Sequence, residues 1–242
     1  MLQAFYSASV GAQQQMMGMN VHGNNIANVN TYGYKAEKPA FGVLMNSMVN
    51  GVDGVQLPKG SGAAVMSTAT DFREAEITQT GRDQDYAILG PGFFALYDPS
   101  TQEISFTRDG SFTISSFQEA GEDGTMETVW YLGDGEGRQV LNTTGYPIVV
   151  TDPTAEQPVG TFLIQYQDGL QHLDGGRFLN GDKNGAVWIG TSEVRRGALE
   201  TSNTDLATEL GKVIERQRAY VYALRMVTTA DEVENTINGL TN

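Results

Sequence analysis

The first 34 residues contain no Asp, Glu, Lys or Arg, and His22 is their single side chain that titrates near neutral pH. A helix on the outside of a globule normally carries charge on its solvated face. A segment this silent suits a crowded interior, where many copies pack side by side. Leu2, Phe5, Ser9, Ala12, Met16, Met19, Gly23 and Ile26 follow alternating spacings of three and four, a heptad seam with small residues at several knob positions. The same spacing returns near the other end in Leu206, Leu210, Val213, Gln217, Tyr220, Leu224 and Val227. Ala230, Val233, Ile237 and Leu240 continue that stripe after a small phase slip. Ser202 or Asn203 is expected to cap this second helix, with Asp205 favourable in its first turn. Lys212, Glu215 and Arg216 are expected on its polar side. Isolated helices of this length are marginal in water, so each needs a partner. A closed intramolecular hairpin would supply one, and so would packing among subunits; the uncharged N-terminal surface favours the second.

Neither membrane insertion nor a cleavable signal peptide is expected. Gln3, Gln13, Gln14, Gln15, Asn20, Asn24, Asn25, Asn28 and Asn30 interrupt the silent segment. No run therefore approaches the roughly 18 apolar residues of a spanning helix. A basic n-region and a compact apolar h-region are both missing. The acidity lies in the middle of the chain: 21 acids and 9 bases fall between Phe41 and Leu199, within a net charge of −14. That balance argues against nucleic acid or an anionic membrane surface as a partner. The absence of cysteine excludes a disulfide framework, a thiolate metal site and a Cys nucleophile.

From about Asp71 to Arg196 the pattern is one of strands and turns. Tyr86–Leu89 and Phe93–Tyr97 flank the turn Gly90-Pro91-Gly92, and further β-rich runs are 112–114, 128–132, 147–150, 161–164 and 186–189. Strands so short and evenly punctuated suggest one antiparallel domain of sandwich or barrel type. The stretch Asn46 to Thr70 reads as an extended connector. The expected fold class is α+β: N- and C-terminal helices pairing as a coiled coil, with an inserted antiparallel all-β domain. The expected division is 1–34 plus 200–242 for the helical domain, 35–70 for the connector and 71–199 for the β domain.

Signs of catalysis are thin. His22 and His172 read as ordinary polar residues, and Asp83 with Asp85 as solvated charge beside a turn. Gly133-Asp134-Gly135-Glu136-Gly137 precedes no helix pattern and fits no dinucleotide fingerprint. Asp174-Gly175-Gly176 and Asp182-Lys183-Asn184-Gly185 lack the spacing of a calcium loop and read as hairpin turns. No catalytic, cofactor-binding or metal residue is assigned, no cofactor is expected, and the chain is not expected to be an enzyme.

One segment is specific. Gly23-Asn24-Asn25-Ile26-Ala27-Asn28-Val29-Asn30-Thr31-Tyr32-Gly33-Tyr34-Lys35 closely resembles the N-terminal signature of flagellar rod and hook proteins. Physically it reads as a helix end, with Asn side chains satisfying exposed backbone groups and Gly33 permitting the exit turn. Two further blocks agree in order. Thr78–Gly81, Asp85–Ile88, Gly90–Phe94 and Phe106–Phe112 resemble the family's central block; Gly197–Asp205, Gln217–Tyr220 and Thr229–Glu232 resemble its C-terminal elements. Val221 stands where the family usually has Glu, and Ser116 to Asn142 matches nothing in the pattern.

The resemblance implies an axial subunit of the bacterial flagellar basal body, polymerising through its terminal helices into the rod that transmits torque. It also implies export by the flagellar type III apparatus without a cleaved signal, and neighbouring rod and hook proteins as partners. The Gln217–Tyr220 element leans towards the distal rod; a proximal rod or short hook-like subunit is the alternative. The residues expected to serve self-assembly are Leu2, Phe5, Ala12, Met16, Met19, Asn24, Asn25, Ile26, Leu206, Leu210, Val213, Tyr220, Leu224 and Val227. A rival reading, a secreted carbohydrate-binding or enzymatic β domain with helical oligomerisation ends, requires Trp130, Tyr131, Trp188 and a carboxylate to converge in one cleft.

Overall fold

A computed structural model describes residues 2–43, 47–50, 56–59, 63–120 and 126–240. The side chain of Leu2 and parts of the expected connector lie outside the described residues. The chain forms two compact units, one of Met1–Ala27, Glu37–Asp71 and Thr204–Asn242, the other of Asn28–Ala36 and Phe72–Asn203.

The helical unit contains α1, Leu2–Ala27, and α2, Leu206–Leu240, which pack against each other. His22 lies against Glu209 and Gln15 against Arg216, so the two helices run antiparallel. The cap of α2 is Asp205, later in the chain than Ser202 or Asn203. Its Oδ1 accepts the Ala207 N–H and its Oδ2 the Thr208 hydroxyl. Those bonds, the Thr208 hydroxyl first, hold the Asp205 carboxyl below its ordinary value. Asn203 is engaged elsewhere, accepting the Ala36 N–H and donating to the Arg73 carbonyl, and so cannot cap. The unit also holds an antiparallel pair, Glu37–Val43 with Ala63–Thr70, bulged between Ala40 and Phe41. Ser47–Asn50 pairs with Gln56–Lys59 in the same sense. The Gln14 side chain of α1 accepts the Val65 N–H at 2.7 Å, which ties the first pair to the helix.

The β unit is antiparallel throughout its described pairings. Its largest sheet has seven strands in the order Gln171–Leu173, Arg177–Leu179, Ile104–Thr107, Phe94–Tyr97, Gln139–Val140, Met126–Gly133, Thr113–Ala120. Three two-stranded pairs complete it: Phe162–Ile164 with Val187–Ile189, Tyr86–Leu89 with Glu193–Arg196, and Ile77–Gln79 with Ala198–Glu200. Side chains alternate along the central strand, so Phe94 and Leu96 enter one apolar core with Tyr86, Phe112 and Leu132. Phe93 and Ala95 enter a second with Phe106, Phe162 and Phe178. Both faces of the strand are thus covered.

Two local expectations are corrected. Pro147–Val150 is no strand but a segment threaded between two others. Pro147 has no N–H; the Ile148 N–H bonds Val140 and the Val150 N–H bonds Trp130, so no continuous ladder forms. Asp182–Asn184 is a single turn of 3-10 helix, fixed by the Asn184 side chain accepting the Gly181 N–H, where a hairpin turn was expected. The segment that matched no family pattern carries a hairpin with Thr113 opposite Gly133 and Ala120 opposite Met126.

Candidate functional site

The first part of the site lies between the two helices. Glu209 is buried, and its Oε2 accepts from the His22 ring nitrogen Nδ1 at 2.7 Å and from the Asn25 amide at 3.1 Å. Its Oε1 accepts from Lys212 Nζ at 2.8 Å. Burial pushes the Glu209 carboxyl up, but the bonds from Lys212, Asn25 and His22 outweigh it and hold the group below the ordinary value. Asn25 also grips the strand after the helix, donating to the Glu37 carbonyl at 2.7 Å and accepting the Glu37 N–H at 2.9 Å. Asn25 of the signature therefore satisfies strand backbone just past the helix end. Two turns back along α1, Arg216 donates to Gln15 and stacks 4.4 Å over the Phe41 ring.

This inward face is small and polar. Among the described side chains and glycines of α1, Ala12, Gly18, His22 and Asn25 are buried. Of the residues expected to serve assembly, Ala12 and Asn25 lie inside it. Met19, Ile26, Val213, Tyr220 and Val227 are half-buried. Phe5, Met16, Asn24, Leu206, Leu210 and Leu224 are exposed. Lys212 and Arg216, expected on the polar side, pack inwards because Glu209 and Phe41 supply their partners. On α2, Leu206, Leu210, Ile214, Val221 and Leu224 share one exposed face that α1 does not cover.

The second part lies inside the β unit and joins three of the sequence blocks. Lys35 ends the N-terminal signature, Arg108 belongs to the central block, and Glu200 to the C-terminal one. Glu200 Oε1 accepts from Lys35 Nζ at 2.6 Å and from the Ala75 N–H at 2.9 Å. Its Oε2 accepts from Arg108 Nη1 at 3.1 Å. Lys35 also donates to the Arg73 carbonyl, and Arg108 to the Gly90 carbonyl. All three side chains are buried, so two cations share one carboxylate away from water. Burial pulls the Lys35 ammonium below its ordinary range, with Glu200 opposing it. Gly33 makes the turn into this cluster at φ +66°, and its N–H bonds the Glu200 carbonyl. A Cβ there would come 2.3 Å from the Asp109 backbone nitrogen. Sequence reasoning passed over Lys35, Arg108 and Glu200, although a Lys, an Arg and a Glu inside three separate motif blocks were the available signal.

The family model described as "Flagella basal body rod protein" matches residues 5–35, and that described as "Flagellar basal body rod FlgEFG protein C-terminal" matches residues 195–240. Flagellar basal-body rod protein FlgF of Caulobacter vibrioides is 30% identical, over 93% of this chain and 93% of its own. The chain belongs to the flagellar basal-body rod protein family. Two rod proteins named FlgG share the likeness: that of Buchnera aphidicola subsp. Baizongia pistaciae is 29% identical and that of Bacillus subtilis 27%, each over 96% of this chain and 97% of its own. The two matched terminal regions of this rod-family chain contain both halves of the His22–Glu209 contact and of the Lys35–Glu200 contact.

Other polar candidates find separate partners. Asp85 is buried and accepts from the Thr80 hydroxyl, while Asp83 pairs with Arg196 at 3.1 Å. The His172 ring meets Phe178 edge-on. Trp130 and Trp188 are both exposed and stand on different sheets, whereas Tyr131 is buried against Phe117. A groove beside Trp188, lined by Ile104, Phe106, Leu141, Phe162 and Ile189, presents no carboxylate. The convergence required by the rival β-domain reading does not occur.

Proposed function

We propose that this rod-family subunit occupies the distal rod, polymerising through α1 and α2, paired as a coiled coil, into the shaft that transmits torque. The observation that carries this is the uncovered apolar face of α2. Leu206, Leu210, Ile214, Val221 and Leu224 lie exposed on a helix whose opposite side is already packed, a surface that water disfavours and another helix would bury. The charge-free α1 fits the same role, since crowded copies meet no buried unpaired charge there. Phe5, Met16 and Leu224 would make the lateral contacts, while Ala12, Asn25, Val213, Tyr220 and Val227 hold the pair together. The division into terminal helical domain, connector and β domain expected from sequence would serve this scheme. Neighbouring rod and hook proteins would cap the shaft at its two ends. The chain would reach it through the flagellar export apparatus without cleavage of a signal.

Concentrated purified protein, imaged by electron microscopy, tests this reading. Tubes or rods are expected; a monomer at every concentration would overturn it. A proximal position is the second reading, favoured by the 30% identity to FlgF. Gold labelling along isolated basal bodies separates the two, the label falling near the hook for a distal subunit and near the cytoplasmic membrane for a proximal one.

A further inference from the structure

The charges of α2 are sorted along its length. Between Leu206 and Ala230 it carries Lys212, Arg216, Arg218 and Arg225 against Glu209 and Glu215. From Asp231 onwards it carries Asp231, Glu232 and Glu234 and no base. Lys212, Arg216 and Glu209 are engaged within the helical pair. The side chains of Glu215, Arg218, Arg225, Asp231, Glu232 and Glu234 make no ion pair or hydrogen bond among the described residues. Six charges on one helix are thus left for something outside the subunit, the two arginines and the three distal carboxylates in separate clusters.

Geometry separates the two sets. Continuing the register of His22 with Glu209 and Gln15 with Arg216 brings Leu2 level with about Thr229. Every residue of α2 from Asp231 to Leu240 is exposed, including the apolar Val233, Ile237 and Leu240, which recur on one face at helical spacing. Further back, Arg218 and Arg225 stand seven residues apart on one face and flank a shallow groove floored by Val221 and Tyr222. Tyr222 is 63% exposed. An apolar stripe edged by carboxylates matches an apolar groove edged by guanidinium groups. Neither can meet the other within one straight helix, where the two lie end to end.

We infer that the acidic distal stretch of α2, Asp231–Leu240, docks in the Arg218–Arg225 groove of a second copy of this chain, setting the axial offset between successive subunits. The inference rests on the self-assembly proposed above and adds its polar determinant. Arg218 and Arg225 supply planar donors for the carboxylates of Asp231, Glu232 and Glu234. Val233, Ile237 and Leu240 cover Val221 and Tyr222. Leu206, Leu210, Ile214 and Leu224 remain for lateral contacts, with Val221 at the border between the two surfaces.

Charge exchange on the full-length protein tests it, with the critical concentration for sedimentation as the readout. Arg218→Glu with Arg225→Glu, and separately Asp231→Lys with Glu232→Lys and Glu234→Lys, should each raise that concentration about tenfold or more, because like charges then face each other. The variant carrying all five changes should return to within about threefold of wild type. A five-fold variant no better than its parents, or parents equal to wild type, overturns the inference. Should either parent lose helicity by circular dichroism, wild type alone decides. Its critical concentration should rise as added salt shortens the screening length from about 10 Å to about 3 Å. A flat or falling response overturns the inference while leaving self-assembly standing. A wild-type chain that never sediments overturns both.

Discussion

Replacing Glu200 by Gln should cost the β unit far more than replacing Lys35 by Met, although the two residues are partners. Glu200 is the only anion of the described cluster, accepting from Lys35, Arg108 and the Ala75 N–H. Glu200→Gln keeps the volume but leaves two buried cations with no carboxylate. Breaking a buried ion pair from one side costs about 3–5 kcal/mol. Lys35→Met instead leaves Glu200 paired with Arg108 and removes a cation whose burial already disfavours its charge. Its main cost is one of the two hydrogen bonds to the Arg73 carbonyl, which keeps Asn203 as a donor, about 0.5–1.5 kcal/mol. For a unit of this size 1 kcal/mol moves the midpoint by about 3–5 °C. Glu200→Gln should therefore lower it by about 9–25 °C, and Lys35→Met by about 2–8 °C. Trp130 and Trp188 both belong to the β unit, so tryptophan fluorescence during thermal unfolding reads that unit alone. A Lys35→Met variant as destabilised as Glu200→Gln would refute the charge argument.

The helical pair should lose stability in acid through Glu209. Its folded pKa lies below the ordinary 4.5, so its contribution is complete above that value and disappears as pH falls through the depressed one. Helical circular dichroism followed downwards from pH 5 should show this loss, and Glu209→Gln should flatten the profile; an unchanged slope would remove Glu209 from the explanation. Ala12→Glu places an unpaired charge on the inward face and should disrupt the pair by several kcal/mol. Met16→Lys, at a site 46% exposed, should leave the monomer within about 0.5 kcal/mol and still block polymerisation; normal assembly of Met16→Lys would mean that this face stays in water. Leu224→Ala, at an exposed site, should cost the monomer no more than about 1 kcal/mol while raising the critical concentration. A large fall in the melting temperature of the monomer, with assembly intact, would place Leu224 in the internal core.

The architecture was legible because periodicity reports burial. Runs such as Tyr86–Leu89 and Phe93–Tyr97 are apolar throughout because each strand is buried on both faces, and they appear as strands within a residue of expectation. Which face of each terminal helix turns inward was not legible in this way. An apolar seam marks where a helix can shed water, not which partner receives it. Here the internal partner takes the polar side, so Phe5 and Met16 are exposed while His22 and Asn25 are buried. The Lys35–Arg108–Glu200 cluster escaped for a related reason. Charged residues are mostly exposed, and only the fold brings together three that are 73 and 92 residues apart in sequence.

Polar internal pairing is a weak source of stability but a strong source of register. Glu209 finds His22 and Asn25 only when α2 stands at one height on α1. A slide of one turn would set Glu209 level with Gly18 or Ile26, neither of which has a side-chain donor, and would strand a buried carboxylate. Leucine and methionine seams would tolerate the same slide, since one apolar contact replaces another. Placing the discriminating groups inside the subunit and the permissive apolar ones outside lets each chain fix its own helix pair before it meets another. In the proposed assembly the apolar face would supply cohesion, and the register within each copy would determine where that face is presented.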